Sequence, residues 1–290
     1  MSTPGDRAFM TLMRLLPKAA LSTVVGHATR APLPPRLHQA AMRLFARQYR
    51  VALEEAEAPL ESYPTFATFF TRKLKAGARP VDAAPEAVVS PVDGVVSQAG
   101  QVEQGFCLQA KGISFPVGQL LGDARRALEF EGGSFATLYL SPRDYHRFHA
   151  PLEAQVVGYQ YLPGQFWPVN ARSVRMTDAL FAVNERLVTW LDTPAGKLAY
   201  VAVGATCVAR IHAAYDAVVT HSGRKAGSES YVRPISLEKG AEVGMFEMGS
   251  TVILLFQRGR VRWAPSLVEG AAVRVGERIG TVLPAPTRSP

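Results

Sequence analysis

The sequence predicts an α+β protein. An N-terminal amphipathic helical subdomain, residues 1–60, precedes a mostly antiparallel, β-rich and barrel-sandwich-like core, residues 61–290. Three observations carry that expectation. The 290-residue chain is 48% apolar and 19% charged, which suits one or two packed domains and excludes a disordered or collagen-like chain. Its formal charge of +8 is lopsided: Arg7, Arg14, Lys18, Arg30, Arg36, Arg43, Arg47 and Arg50 face Asp6 alone, so the first 50 residues carry +7 and the rest +1. Beyond about Tyr63, helical periodicity gives way to short β-branched runs punctuated by Gly, Pro and Asp, with no repeat and no βαβ alternation.

Taken in order, the first element is a helix over residues 9–25. Phe9, Leu12, Met13, Leu16, Ala20 and Val24 share one face, and Arg7, Thr11, Arg14, Lys18 and Ser22 share the other. Pro17 divides it. Arg14, Pro17 and Lys18 interrupt the apolar run, so it reads as neither a membrane span nor a signal peptide. After the Pro-rich break at 31–35, Leu37, Ala41, Leu44, Phe45 and Ala52 alternate at helical spacing with Arg36, Arg43, Arg47 and Arg50. Such helices either pack on a core with their basic face in solvent or lie in an anionic membrane surface. Nucleic acid is a poorer match, because no nucleic-acid-binding motif is present and the apolar residues need somewhere to go.

A short helix is expected over 66–75 and another beginning at 118–121. Strands are expected over 87–90, 94–97, 136–140, 154–161, 198–204, 207–211, 250–256 and 280–283. Two pieces, 90–96 and 273–280, share a turn-then-strand look. Cys107 and Cys207 are too few for a disulfide scaffold or a Cys-rich zinc site and read as reduced packing residues.

Three motifs carry chemistry. Met248-Gly249-Ser250-Thr251 leads into the apolar run 252–256. A Gly-Ser pair there is ordinarily a turn. It also allows a hydroxyl to attack an unhindered preceding carbonyl, given a base and oxyanion donors. The segment from Asp144 to Pro151 holds His146 and His149 in a Pro-bounded loop, placed for structure or for acid–base work. Ser90-Pro91-Val92-Asp93-Gly94 is a turn whose carboxylate can orient an imidazole.

In these contexts the chain resembles the phosphatidylserine decarboxylases, self-processing pyruvoyl enzymes. The resemblance runs through Phe69-Phe70-Thr71-Arg72-Lys73-Leu74-Lys75, Arg79-Pro80, the 90–94 turn, Lys111-Gly112, Leu120-Leu121-Gly122 and the Tyr145–His149 block. It continues through Leu162-Pro163-Gly164, Val169-Asn170, Leu180-Phe181, Asn184-Glu185-Arg186, Val203-Gly204-Ala205, Lys239-Gly240, Gly244, Phe246 and Gly249-Ser250-Thr251. Met248 stands where the family commonly has Leu, a swap of similar volume and polarity.

The resemblance implies that Asp93 orients His149 and that His149 deprotonates Ser250. Cleavage between Gly249 and Ser250 would then give a large chain, 1–249, and a small chain of 41 residues, 250–290, which remain associated. Residue 250 becomes a covalent pyruvoyl group. It forms a Schiff base with phosphatidylserine, releasing carbon dioxide and phosphatidylethanolamine in phospholipid biosynthesis. His146 takes a substrate-facing acid–base or positioning role, with His149 reused as a proton donor. No metal is expected, and Lys111, Arg147 and Arg186 are unranked candidates for the lipid phosphate. The family suggests a homodimer. The cationic arm would dock it as a peripheral protein on the cytoplasmic face of the inner membrane, its partner being phosphatidylserine in an anionic bilayer and not nucleic acid. Three rival readings stay open at this point: a pyruvoyl decarboxylase of a soluble amino acid, a serine hydrolase using Asp93, His149 and Ser250 without chain cleavage, and a non-catalytic lipid-binding protein.

Overall fold

The computed structural model describes residues 4–110, 112–206, 210–221, 225–247 and 250–284. Three helices open the chain: α1 (Pro4–Leu15), α2 (Lys18–Arg30) and α3 (Pro35–Tyr49). Pro17 separates the first two, and the Pro-rich break at 31–35 separates α2 from α3. The helix expected over 66–75 is the shorter α4 (Phe66–Phe70), started by a Thr65–Thr68 capping box. The helix expected near 118 is α5 (Val117–Leu121).

The rest is strand-rich. In chain order the strands are β1 (Ala87–Val89), β2 (Gly94–Gln101), β3 (Phe106–Ala110), β4 (Ile113–Pro116), β5 (Ser134–Tyr139), β6 (Arg147–His149), β7 (Ala154–Leu162) and β8 (Arg186–Thr193). They continue with β9 (Gly196–Val203), β10 (Ile211–Ala213), β11 (Gly227–Leu237), β12 (Glu242–Phe246), β13 (Thr251–Phe256), β14 (Val261–Trp263), β15 (Ala272–Val273) and β16 (Arg278–Val282). Residues 207–209 of the strand expected over 207–211 lie outside the described residues, as do Lys111, Met248 and Gly249.

Eight strands form one sheet in the order β11-β7-β8-β9-β13-β5-β2-β15, and β6, β12 and β10 form a small sheet beside it. All these pairings are antiparallel. The large sheet is open, so the barrel-sandwich likeness does not extend to a closed barrel. The two look-alike segments do meet: Ser90 N donates to Glu277 O at 2.7 Å, Gly276 N donates to Ser90 O at 3.1 Å, and Gly94 pairs with Val273.

At the centre of the large sheet, β13 is buried throughout because its whole apolar run lies between β9 and β5. Large residues oppose small ones across it: Leu255 faces Phe135 on one side and Ala199 on the other, and Leu254 faces Ala136 and Tyr200. A second, small cluster joins Met42 and Ala46 of α3 to Val51 and Phe69. Here the buried face of α3 differs from the face its leucines predict. His38 turns inward, where its Nε2 meets Tyr63 O at 2.9 Å, while Leu37 and Leu44 stay exposed.

Candidate active site

Antiparallel pairing of β5 with β13 sets Tyr139 opposite Thr251, so the chain leaving β5 runs beside Ser250. Leu140 N donates to Ser250 O at 2.8 Å. A tight turn follows, in which Ser141 N and Oγ each donate to Asp144 Oδ2 at 2.7 Å. It delivers Tyr145 and His146 into β6, and Phe246 N at the end of β12 donates to His146 O at 2.9 Å. Leu140 is thus tied to Ser250 and His146 to Phe246, which brings both the histidine and the serine to this end of the sheet.

His146 is fully buried, and its Nδ1 donates to Asp144 O at 2.8 Å. That bond puts the proton on Nδ1 and leaves Nε2 as a lone-pair acceptor. The Nε2 atom is buried without a partner. Phe70 of α4 lies against the ring, 4.1 Å between centroids. Burial pushes the imidazole down to about 3, against the opposing bond to Asp144, so His146 is neutral at physiological pH.

His149 closes β6. Its Nδ1 donates to Gly240 O at 2.8 Å, and its Nε2 receives the Tyr145 hydroxyl at 3.3 Å, with the two rings stacked. Burial lowers its pKa, while the Gly240 bond and the nearby carboxylates of Glu242 and Asp93 oppose that shift. His149 N also donates to Pro91 O at 2.8 Å, which brings the 90–94 turn against β6. Gly94 lets the end of the turn pass close to β5 on its other side: a Cβ there would sit 2.3 Å from Tyr139 O.

The turn thus reaches His149, but its carboxylate engages other groups. Asp93 Oδ1 accepts Arg79 Nε at 2.9 Å and Val275 N at 2.9 Å, and Oδ2 accepts Arg79 Nη2 at 2.5 Å. The expected Asp93–His149 hydrogen bond is replaced by this Arg79 pair, because a permanent guanidinium is a stronger partner for a buried carboxylate than a neutral imidazole. Gly240 O orients the His149 ring instead, and Asp93 acts on it only through space.

Ser250 is fully buried and its Oγ has no hydrogen-bond partner. Neither imidazole bonds to it. Its neighbour Gly249, expected to carry the reacting carbonyl, lies outside the described residues. A cavity of about 180 Å³ lies near this end of the sheet, walled by Phe45 and Tyr49 of α3, Phe70 of α4, and Tyr139, Leu140 and Ala205. A larger cavity, about 1120 Å³, is lined by Phe135, Gly100 and Arg258. It lies at the far end of β5 from Ser250, away from these groups.

The candidate phosphate ligands fare differently. Arg147 is spent on Glu242 and Thr71 O, and Arg186 on the carbonyls of Gln119, Leu120 and Asn184. Lys111 lies outside the described residues. Arg72, quoted in the sequence only as part of a motif, is buried with Nε and Nη1 unpartnered, while Nη2 donates to Arg143 O at 3.2 Å. Among the described residues no group of three or more His, Cys, Asp or Glu side chains is placed to hold a metal ion.

Comparison with known proteins follows the same outline. A family profile described as phosphatidylserine decarboxylase matches residues 66–281. The phosphatidylserine decarboxylase proenzyme of Myxococcus xanthus is 61% identical over 278 residues, covering 96% of this chain and 99% of that protein. The proenzymes of Anaeromyxobacter sp. and Ectopseudomonas mendocina are 53% and 44% identical, each over 281 residues and 95% of this chain, covering 99% and 98% of those proteins.

Proposed function

The chain belongs to the phosphatidylserine decarboxylase family and is a decarboxylase; on that premise we propose that it matures by cutting itself before Ser250 and then decarboxylates phosphatidylserine at a membrane surface. The observation that carries this reading is the Ser250 hydroxyl, buried and unpartnered where the central strand begins. A buried hydroxyl with no hydrogen bond costs about 1–3 kcal/mol, a penalty that a reactive group repays in function.

In the proposed maturation His149 is the base. Its Nε2 holds the lone pair, and the 3.3 Å bond from Tyr145 is long enough to exchange for the Ser250 hydroxyl. Gly240 O fixes the ring tautomer, and Asp93, held by Arg79, favours the imidazolium that forms. The Ser250 oxygen bonds to the Gly249 carbonyl carbon, the peptide C–N bond breaks, and the serine nitrogen takes up a proton. Loss of the residue-250 α-proton with cleavage of the Cβ–O bond then frees the Gly249 carboxylate and leaves a dehydroalanine. Water converts its enamine to a ketone and expels ammonia.

The residues present fit the resulting pyruvoyl group, since Ser250 supplies its atoms and His146 Nε2 is an unpartnered acceptor at the same end of the sheet. When present, that group supplies an electrophilic ketone that condenses with the substrate amine and draws electrons from the breaking Cα–carboxylate bond. Neutral His146 positions the reacting groups by accepting a hydrogen bond at Nε2. His149, once protonated, is the reserve proton donor.

Membrane docking rests on the arm. Of the fourteen large apolar side chains exposed among the described residues, eight lie within the first 53 residues, and most of the net charge lies beside them. No helix among the described residues is long and apolar enough to cross a membrane. An in-plane arm on the anionic cytoplasmic leaflet would present the headgroup to the cavity between α3, α4 and Leu140. A homodimer rests on the family resemblance alone.

The deciding experiment is the intact mass of the denatured protein, with carbon dioxide release assayed from phosphatidylserine vesicles and from free serine. The reading requires a 41-residue fragment blocked by pyruvoyl, one uncut chain for Ser250→Ala, and release from the lipid only. Two chains from Ser250→Ala would overturn it. A single intact wild-type band with an acyl group trapped on Ser250 would mark a serine hydrolase instead.

A further inference from the structure

We propose that Arg30, at the end of α2 in the N-terminal arm, is a positioning residue for chain maturation: it clamps Glu247 and so holds the segment that leads to Ser250. The inference rests on the self-cleavage reading above and adds a part of the molecule that the chemistry does not otherwise use.

Glu247 is gripped from three sides. Arg30 Nη1 meets Glu247 Oε2 at 2.6 Å, His212 Nε2 meets Oε1 at 2.8 Å, and Arg210 Nη1 stands 4.0 Å from Oε1. The backbone is held too, since Glu247 N donates to Arg210 O at 3.1 Å. The Glu247 side chain is only 14% exposed and that of Arg30 only 28%. Although burial alone would raise the Glu247 carboxyl, its bonds to His212 and Arg30 hold it below the usual range. An ion pair this short and this shielded is worth more than an exposed surface pair.

The second anchor is Ser250, whose carbonyl accepts Leu140 N and whose successor is locked between β5 and β9. Glu247 and Ser250 are three residues apart, a step of at most about 10 Å of backbone. Fixing both ends restricts how the Ser250 hydroxyl meets the carbonyl on its N-terminal side. Intramolecular attack is steep in that geometry: a misplacement of about 1 Å costs on the order of a hundredfold in rate.

His212 and Arg210 belong to the core, on and beside β10, but Arg30 arrives from 217 residues away in sequence. It ends α2, which is seated by Thr23 Oγ1 against His221 Nε2 at 3.0 Å and by Lys18 over the Trp167 ring at 4.1 Å. Maturation is therefore sensitive to whether the arm is in place. A chain with an unseated arm keeps its serine but loses one of the two bonds to the Glu247 carboxylate.

The test is a pulse-chase in cell-free synthesis, following conversion of the full chain into its two products. Wild type, Arg30→Ala, Arg30→Lys and Glu247→Gln are compared, with thermal midpoints measured in the uncut Ser250→Ala background. The proposal expects cleavage at least about tenfold slower for Arg30→Ala and Glu247→Gln, near-wild-type cleavage for Arg30→Lys, and midpoints within a few degrees. Equal rates for wild type and Arg30→Ala would overturn the clamp while leaving self-cleavage standing. Slow cleavage with a collapsed midpoint would also overturn it, by showing general destabilisation. A wild-type chain that never converts would instead sink the self-cleavage reading on which the clamp depends.

Discussion

In β13 every residue from Thr251 to Phe256 is buried, whereas along α1 and α3 Leu12, Leu15, Leu37 and Leu44 stand 53–79% exposed. Both regions are rich in apolar side chains. The sheet removes them from water by stacking one strand between two others in register. The helical arm holds to the body through the small apolar cluster of α3 on Phe69 and a few polar tethers: Asp6 to Arg172 at 2.8 Å, Lys18 over Trp167, Thr23 to His221 and Arg30 to Glu247. Stability should therefore reside in the sheet and the buried ion pair beside it, and membrane affinity in the arm.

That division can be broken or sharpened by four measurements. The largest effect is expected at Arg79→Met, which strands the Asp93 carboxylate in a site where both side chains are 9% exposed. Urea unfolding should show a loss of about 3–5 kcal/mol, the usual consequence of removing one partner of a buried pair. Leu254→Ala should cost about 2–5 kcal/mol, because a fully buried central residue leaves a cavity that its neighbours cannot close. A change under about 1 kcal/mol would show that the sheet is less tightly packed than its register implies.

The third measurement uses pH. Folded His146 refuses a proton until about pH 3, while the unfolded imidazole accepts one near its ordinary value of 6.5. Between these limits the unfolded state binds the extra proton, so stability falls as pH falls, by about 1.4 kcal/mol per pH unit from this group. In the uncut Ser250→Ala background, His146→Gln should remove one proton's worth of slope between about pH 4 and 6. An unchanged slope would mean that His146 is not buried as a neutral ring.

The smallest stability effect is expected in the arm. Replacing Leu12, Leu15, Leu37 and Leu44 by Ser should move stability by less than about 0.5 kcal/mol per site. The same variant should bind anionic vesicles at least about tenfold more weakly, and wild-type binding should weaken as salt rises. Unchanged vesicle binding would remove the arm from the docking model and leave its exposed leucines without a role.

Much of this architecture was legible in the residues. The helices of the arm, the Pro breaks between them and the run that becomes β13 follow from periodicity and apolar content. β8 was missed because Arg186, Thr189 and Asp192 interrupt its apolar character, and β11 because an edge strand with an exposed face lacks a buried alternation. The inward turn of His38 depends on Tyr63 O, a tertiary partner that helical spacing cannot reveal. At the site, the residue types in the 90–94, 144–151 and 248–251 segments were readable as chemistry. Their wiring was not. Arg79 sits 14 residues from the carboxylate it holds, and Gly240 lies 91 residues from the imidazole it orients. Such pairs exist only once the sheet has set its register.

That register has a consequence for the life history of the molecule. The segment after Ser250 supplies the middle strand of the large sheet, the β15 edge beside β2, and both β14 and β16 of the sheet with β1. A cut ahead of Ser250 would turn each of those pairings into a contact between two separate molecules, interlaced rather than laid side by side. Before the cut the chain refolds at a rate independent of its concentration. Afterwards, once denatured and diluted, its pieces must find each other again. The precursor would be renewable and the finished enzyme assembled once, with the memory of its folding held in a peptide bond that no longer exists.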